Sequence, residues 1–256
     1  MRKLKGIILA GGTGSRLYPL TYGTSKQLLP VYDKPMIYYP LSTLLYAGIK
    51  DILIISTPKD LPRYRDLLKN GSHLGIRIQF AEQPSPNGIA EAFLIGEKFI
   101  ADDNVCLILG DNIFHGDSFK SQLDKSYKNL EKGFSTIYGY EVSNPKDFGV
   151  IEIDDNNDIY KIIEKPESTK SNLIVSGLYF YTNKVIQYAK KLNPSNRGEL
   201  EITDLNNIFL QNKKLKLICL DSNFSWSDTG TYDSLIKASK YFQNLEKSTG
   251  SKYACI

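Results

Sequence analysis

GIILAGGTGSRLYPLTYGTSKQLLP, residues Gly6–Pro30, is the stretch from which the rest of the chain can be read. Gly6–Ala10 is a short apolar run, rich enough in isoleucine for a strand buried on both faces, and it ends at Gly11-Gly12-Thr13-Gly14. Three glycines in four positions remove the Cβ atoms that would keep backbone N–H groups away from a ligand, and they permit positive φ. Such a loop suits phosphate. The dinucleotide fingerprint G-x-G-x-x-G fails here, because Leu17 stands where its third glycine should be, and no Gly-Lys-Ser/Thr triplet completes a P-loop. What stands instead is Gly-Gly-x-Gly-x-Arg, with Arg16 just past the glycines and Lys26 further along. Two cations beside a polyphosphate loop neutralise the charge that builds on a leaving group in phosphoryl or nucleotidyl transfer.

Outward from this loop, strand and helix alternate. Met36–Gly48 has helical spacing with Gly48 as its C-terminal stop, Asp51–Ser56 is a buried strand, Asp60–Asn70 a helix, and Ile76–Ala81 a strand. Gly88–Ile100 reads as a helix and Val105–Leu109 as another buried strand. The pattern predicts an α/β fold with a doubly wound, mainly parallel, Rossmann-like sheet, whose ligands sit at the carboxyl ends of the strands. Beyond residue 118 the pattern changes to a charged helix, Ser118–Lys132, and then strands at Phe134–Tyr140, Phe148–Ile153, Ile159–Glu164 and Leu173–Tyr181. Asp155–Asp158 looks like a hairpin tip, and its acidic residues do not complete a calcium-loop pattern. A helix running from Arg197-Gly-Glu-Leu-Glu-Ile-Thr-Asp204 through Leu210, a strand Leu215–Asp221 and a helix Tyr232–Leu245 complete the series.

Composition bounds the function. The 256 residues are 41% hydrophobic and 23% charged with a net charge of +4, and the charges are interspersed rather than blocked. That argues against a nucleic-acid groove and fits small anionic substrates. No apolar run approaches the roughly 20 residues that span a bilayer, so no membrane partner and a cytosolic location are expected. Cys106 and Cys219 lie in apolar runs, which predicts core packing in a reducing compartment; His73 and His115 are expected in loops or at the surface.

Other positions carry chemistry with alternatives open. Asp111 directly follows a buried strand, where it is either a turn former or a ligand for a divalent cation that prefers few carboxylates plus phosphate oxygens. Gln83, in the loop Gln83–Gly88, either caps that turn or reads the imide edge of a pyrimidine, since a side-chain amide donates and accepts at once. Asp228 precedes Thr229-Gly230-Thr231 and could be a helix cap. Glu164-Lys165-Pro166 is either an ordinary exposed strand end or a hydroxyl acceptor beside a point charge for phosphate.

The two segments LAGGTGSRLYPLT (Leu9–Thr21) and TSKQLLPVYDKPMIYYPL (Thr24–Leu41) resemble the signature of sugar-1-phosphate nucleotidylyltransferases, most closely the glucose-1-phosphate thymidylyltransferases. The resemblance implies one nucleotidyltransferase domain over 1–256, with a nucleotide-binding half at 1–117, an inserted antiparallel sugar-binding half with a closing helix at 118–247, and a tail at 248–256. It implies dTTP and glucose 1-phosphate as substrates, Mg²⁺ as cofactor held by Asp111 and Asp228, and Arg16, Lys26, Asp111, Lys165 and Asp228 as the reacting set. The nucleotide would touch Leu9, Gly11, Gly12, Thr13, Gly14, Ser15, Arg16 and Lys26, with Gln27, Gln83, Pro86 and Gly88 around the base and Asp111 near the phosphates. The sugar would meet Asn112, Phe148, Gly149, Glu164, Lys165, Val175 and Glu199, the last serving either the sugar or a subunit contact. A homo-oligomer, dimer or tetramer, is implied too. Relatives of this kind continue past Lys247 into helices that help build a regulatory site; the sequence here ends at Ile256, so second-site regulation is not part of the expectation. UTP or another hexose 1-phosphate as substrate, or a catalytically silent nucleotide-sugar sensor, stay open as alternatives.

Overall fold

The computed structural model describes residues 3–155, 158–221 and 223–256. In chain order, β1 (Leu4–Leu9) runs into the glycine loop, and a small hairpin, β2 (Pro30–Val31) and β3 (Lys34–Pro35), leads to α1 (Tyr38–Tyr46). Then come β4 (Asp51–Ser56), α2 (Leu61–Leu68), β5 (Arg77–Glu82), α3 (Glu91–Ile95), α4 (Glu97–Ile100) and β6 (Asn104–Leu109). The second half contains β7 (Asn112–His115), α5 (Phe119–Glu131), β8 (Ser135–Glu141), β9 (Gly149–Ile153), β10 (Ile159–Glu164), β11 (Leu173–Tyr181) and α6 (Lys184–Ala189). It closes with α7 (Ile202–Gln211), β12 (Leu215–Cys219), β13 (Ser225–Asp228) and α8 (Tyr232–Thr249).

Among the described residues nine strands form one sheet in the order β10-β9-β11-β6-β1-β4-β5, with β8 attached to β11 and β12 to β8. β6, β1, β4 and β5 are mutually parallel, and β1 lies between β6 and β4 with Ile7 opposite both Leu107 and Leu53. Alternation along β1 therefore feeds two cores. Ile8 packs with Ile54, Ile108 and residues of α1, α2 and α5 on one face; Ile7 packs with Leu53, Leu107 and residues of α3, α6 and α7 on the other. β11 runs antiparallel to β6, β8 and β9, so the parallel strands and the antiparallel ones share one sheet.

Several expectations are corrected. The Gly88–Ile100 segment is not one helix: Asn87–Ala90 is held in backbone hydrogen bonds with Leu200 (2.7 and 3.2 Å), so α3 starts only at Glu91, and Gly96 divides α3 from α4. Arg197–Glu201 is not helical either; α7 begins at Ile202. Cys219 is exposed, because it lies at the end of β12, while Cys106 is buried as expected. His115 is on β7 rather than a loop, and its ring meets Tyr241, Phe242 and Tyr253 at centroid distances of 5.0–6.1 Å. Of the expected hairpin tip at 155–158, residues 156 and 157 lie outside the described residues. The short ribbon of β7 and β13 was not expected at all.

Candidate active site

The glycine loop is fixed from beneath. Gly12 and Gly14 take φ of 95° and 62°, which side-chain-bearing residues rarely adopt. Thr21 Oγ1 donates to the Gly14 carbonyl at 2.8 Å, and Leu17 N–H donates to the same oxygen at 2.9 Å. Gln27, only 2% exposed, donates from Nε2 to the Gly11 carbonyl at 3.2 Å and accepts from the hydroxyls of Ser25 and Tyr64. Its amide is thus engaged with the loop. Arg16 stands at the surface end of this loop and Lys26 beneath it.

The β7–β13 ribbon brings the two aspartates together. Asn112 is the register partner of Asp228, and Thr229 donates through both its N–H (3.0 Å) and its hydroxyl (2.8 Å) to the Asp111 carbonyl. The Lys26 ammonium donates to Asp111 Oδ2, Asn112 Nδ2 donates to Asp111 Oδ1 at 3.0 Å, and Arg16 Nη2 lies 4.0 Å from Asp228 Oδ2. Asp228 Oδ1 is buried with no hydrogen-bond partner among the described residues. The charges respond accordingly. Burial works to raise the Asp111 carboxyl, but the Lys26 charge and hydrogen bond outweigh it and hold that carboxyl below its usual value. Burial likewise opposes the Lys26 ammonium, and Asp111 more than compensates, so Lys26 is held above its usual value. Asp228 goes the other way: burial first, then the negative charge of Asp111, push it up to about 6.

This set fits a divalent cation. A buried carboxylate oxygen with no partner, beside a second carboxylate, is the arrangement a hard cation completes with phosphate oxygens. No group of three or more His, Cys, Asp or Glu suited to a metal occurs among the described residues.

Two cavities flank the loop. One, of about 280 Å³, is walled by Gly12, Thr13, Lys59, Gln83 and Pro86. Gln83 is buried, with Nε2 donating to the Gly88 carbonyl (3.2 Å) and to Glu91 (2.8 Å). Gly88 takes φ 105°, and a side chain there would meet the Leu200 carbonyl oxygen at 2.4 Å, so the packing of this loop against Leu200 itself calls for glycine. The other cavity, of about 500 Å³, has Arg16, Asp111, Asn112 and Asp228 at one end and Phe148, Gly149, Glu164, Lys165, Val175 and Glu199 around the other. A larger groove of about 1030 Å³ between β10, α7 and β12 contains neither the glycine loop nor either aspartate.

Lys165 adopts φ 41°, with its N–H on the Phe148 carbonyl at 3.0 Å; a lysine in the left-handed region is strained, and such strain gathers at functional sites. Glu164 accepts from Thr203 Oγ1 at 2.5 Å and from Arg197 at 3.2 Å, and Arg197 also pairs with Glu201 (2.8 Å) and approaches Glu199 (3.7 Å). The Trp226 indole donates to Asn112 Oδ1 and to the Ser176 carbonyl, both at 2.8 Å. Arg197, Thr203 and Trp226 line this cavity without having been singled out in the sequence. Trp226 had a signal: it stands two residues before Asp228, which on a strand puts both on one face.

A family model described as nucleotidyl transferase matches residues 5–244. A glucose-1-phosphate thymidylyltransferase of Neisseria gonorrhoeae is 52% identical over 253 residues, covering 99% of this chain and 87% of the relative. The chain is a nucleotidyl transferase of the glucose-1-phosphate thymidylyltransferase family. A crystal structure of a Bacillus anthracis protein assigned to the same activity, in complex with a sucrose, superposes on this transferase with a TM-score of 0.86 at 40% identity, covering 93% of this chain and 95% of that one. A UDP-glucose pyrophosphorylase complexed with UDP-glucose superposes with a TM-score of 0.78 at 25% identity, over 96% and 100% of the two chains. This nucleotidyl transferase thus shares its overall fold with both solved structures.

Proposed function

We propose that this transferase moves a deoxythymidylyl group from dTTP to α-D-glucose 1-phosphate, giving dTDP-α-D-glucose and diphosphate. The observation that carries the reading is the cluster of Arg16, Lys26, Asp111 and Asp228 at the junction between the glycine loop and the larger cavity. In the reaction a phosphate oxygen of the sugar phosphate attacks the α-phosphorus, a new P–O bond forms, and the bond to the bridging α–β oxygen breaks with its electron pair leaving on diphosphate. The nucleophile is already an anion, so no base is needed. The chain's task is alignment and relief of repulsion between two polyanions. The glycine-loop N–H groups (Gly11–Ser15) hold the triphosphate, Arg16 neutralises the departing diphosphate, and Lys26 steadies the transferred group. Lys165 and Arg197 hold the sugar phosphate while Glu164, oriented by Thr203, accepts from sugar hydroxyls. Leu9, Gln83 and Pro86 border the base. Asp111 and Asp228 would hold Mg²⁺, which when bound supplies Lewis-acid neutralisation of phosphate charge. The division between residues 1–117 and 118–247, assembly into a dimer or tetramer, and a cytosolic location belong to the same proposal. Among the described residues no helix is long and apolar enough to cross a membrane, and the cysteines are unpaired.

A UTP-preferring reading is the alternative, favoured by the likeness to a UDP-glucose pyrophosphorylase. Diphosphate release, measured for dTTP and UTP against a panel of hexose 1-phosphates, tests both. The proposal predicts the highest kcat/KM for dTTP with glucose 1-phosphate; preference for UTP selects the alternative, and no release with any pair removes both.

A further inference from the structure

Gly230 lies between β13 and α8, and its φ is not in the positive range, so its backbone does not call for glycine. Its surroundings do. A Cβ at this position would stand 2.6 Å from Arg16 Nη2, 3.2 Å from Arg16 Cζ and 3.0 Å from Asp228 Oδ1. The turn cannot easily move aside. On one side Thr229 is bonded twice to the Asp111 carbonyl; on the other Thr231 and Ser234 cap α8 reciprocally, with side chain and backbone each serving the other. Just beyond, the Tyr232 hydroxyl donates to the Tyr18 carbonyl and ties the start of α8 to the segment that carries Arg16. The Arg16 side chain is 58% exposed, and among the described residues Asp228, at 4.0 Å, is its one ion-pair partner.

We propose that Gly230 is a positioning residue for nucleotidyl transfer: its missing side chain leaves the seat in which the Arg16 guanidinium rests beside Asp228. A methyl group there displaces the guanidinium, the flexible end of a long side chain, rather than the braced turn, and takes the positive charge away from where the diphosphate leaves. This rests on the reading of Arg16 as the residue that neutralises that diphosphate.

A double-mutant cycle with Gly230→Ala, Arg16→Ala and the combined variant tests it. The expected result is that Gly230→Ala lowers kcat about tenfold or more, with the KM for glucose 1-phosphate within about twofold of wild type and an unchanged Tm, and that it costs nothing further once Arg16 is alanine. An undiminished kcat in Gly230→Ala overturns the proposal. So does an equal loss on both backgrounds, which would route the effect through Asp228. A crystal structure of Gly230→Ala with Arg16 still within 4 Å of Asp228 sinks it independently of turnover. If Arg16→Ala alone turns over like wild type, the reading beneath the proposal has failed, whatever Gly230→Ala does.

Discussion

Asp111 and Asp228 share a site and carry opposite shifts, one held down by Lys26 and the other pushed up to about 6. The sign matters for cation binding. Asp228 must be deprotonated to serve as a ligand, so its proton and the cation compete as pH falls through about 6. Mg²⁺ affinity measured by calorimetry should weaken roughly fivefold between about pH 6 and pH 5, and Asp228→Asn should flatten that dependence. For folding of the cation-free chain the direction reverses. A carboxyl raised in the folded state contributes stability below its unfolded value and loses it as pH rises through the folded one, so Asp228 favours the fold in mild acid. Arg16→Ala and Asp111→Ala should each lower turnover by about 10²-fold with the far-UV circular dichroism spectrum unchanged, as for lost charge stabilisation of a transition state. The glycine loop, Arg16 and Asp111 were legible because each follows a buried strand visible in the local sequence, and Lys26 because it is a cation in the same segment as the glycine loop. Arg197 and Thr203 were not, since what marks them is Glu164, a partner from a distant strand.

At the scale of elements, the contact between Asn87–Ala90 and Leu200 depends on a glycine. A side chain at Gly88 would lie 2.4–2.5 Å from the backbone of Leu200 at a φ of 105°, so Gly88→Ala should cost more than about 3 kcal/mol in urea unfolding. The same contact explains why α3 starts late: apolar spacing across 88–100 is helical, but the Leu200 strand-like pairing claims the first residues. Thr231→Ala removes the cap of α8 and should cost about 1 kcal/mol by the same measurement. The long buried strands were readable because continuous apolar runs announce them. β7 and β13 were hidden, because four-residue strands of mixed polarity gain their structure only from pairing with each other.

Across the molecule, α8 and the residues after it close over the β2–β3 hairpin through a charged cluster. Lys34, buried, pairs with Glu246 at 3.2 Å, and Lys252 bridges Glu246 (2.8 Å) and Asp33 (2.9 Å). The Lys252 hydrogen bond holds the Glu246 carboxyl below its usual value, so this attachment is at full strength above the ordinary glutamate range and is lost as pH falls through the lowered one. Glu246→Ala leaves Lys34 buried without that partner; it should lower Tm and make 250–256 susceptible to limited proteolysis at neutral pH. The mainly parallel architecture was legible from the alternation of buried runs with helices. The branching of the sheet at β11 was not, since one strand pairing with β6, β8 and β9 is a property of distant contacts.

The ribbon that seats Asp228 opposite Asn112 also has a consequence in time. Asp228 follows Asp111 far along the chain, so the two carboxylates come together only once β13 has paired with β7. On the proposed mechanism, turnover waits for that pairing. Fragments split between β12 and β13 should therefore be inert apart and regain turnover when mixed, the later piece acting as the key that completes the lock.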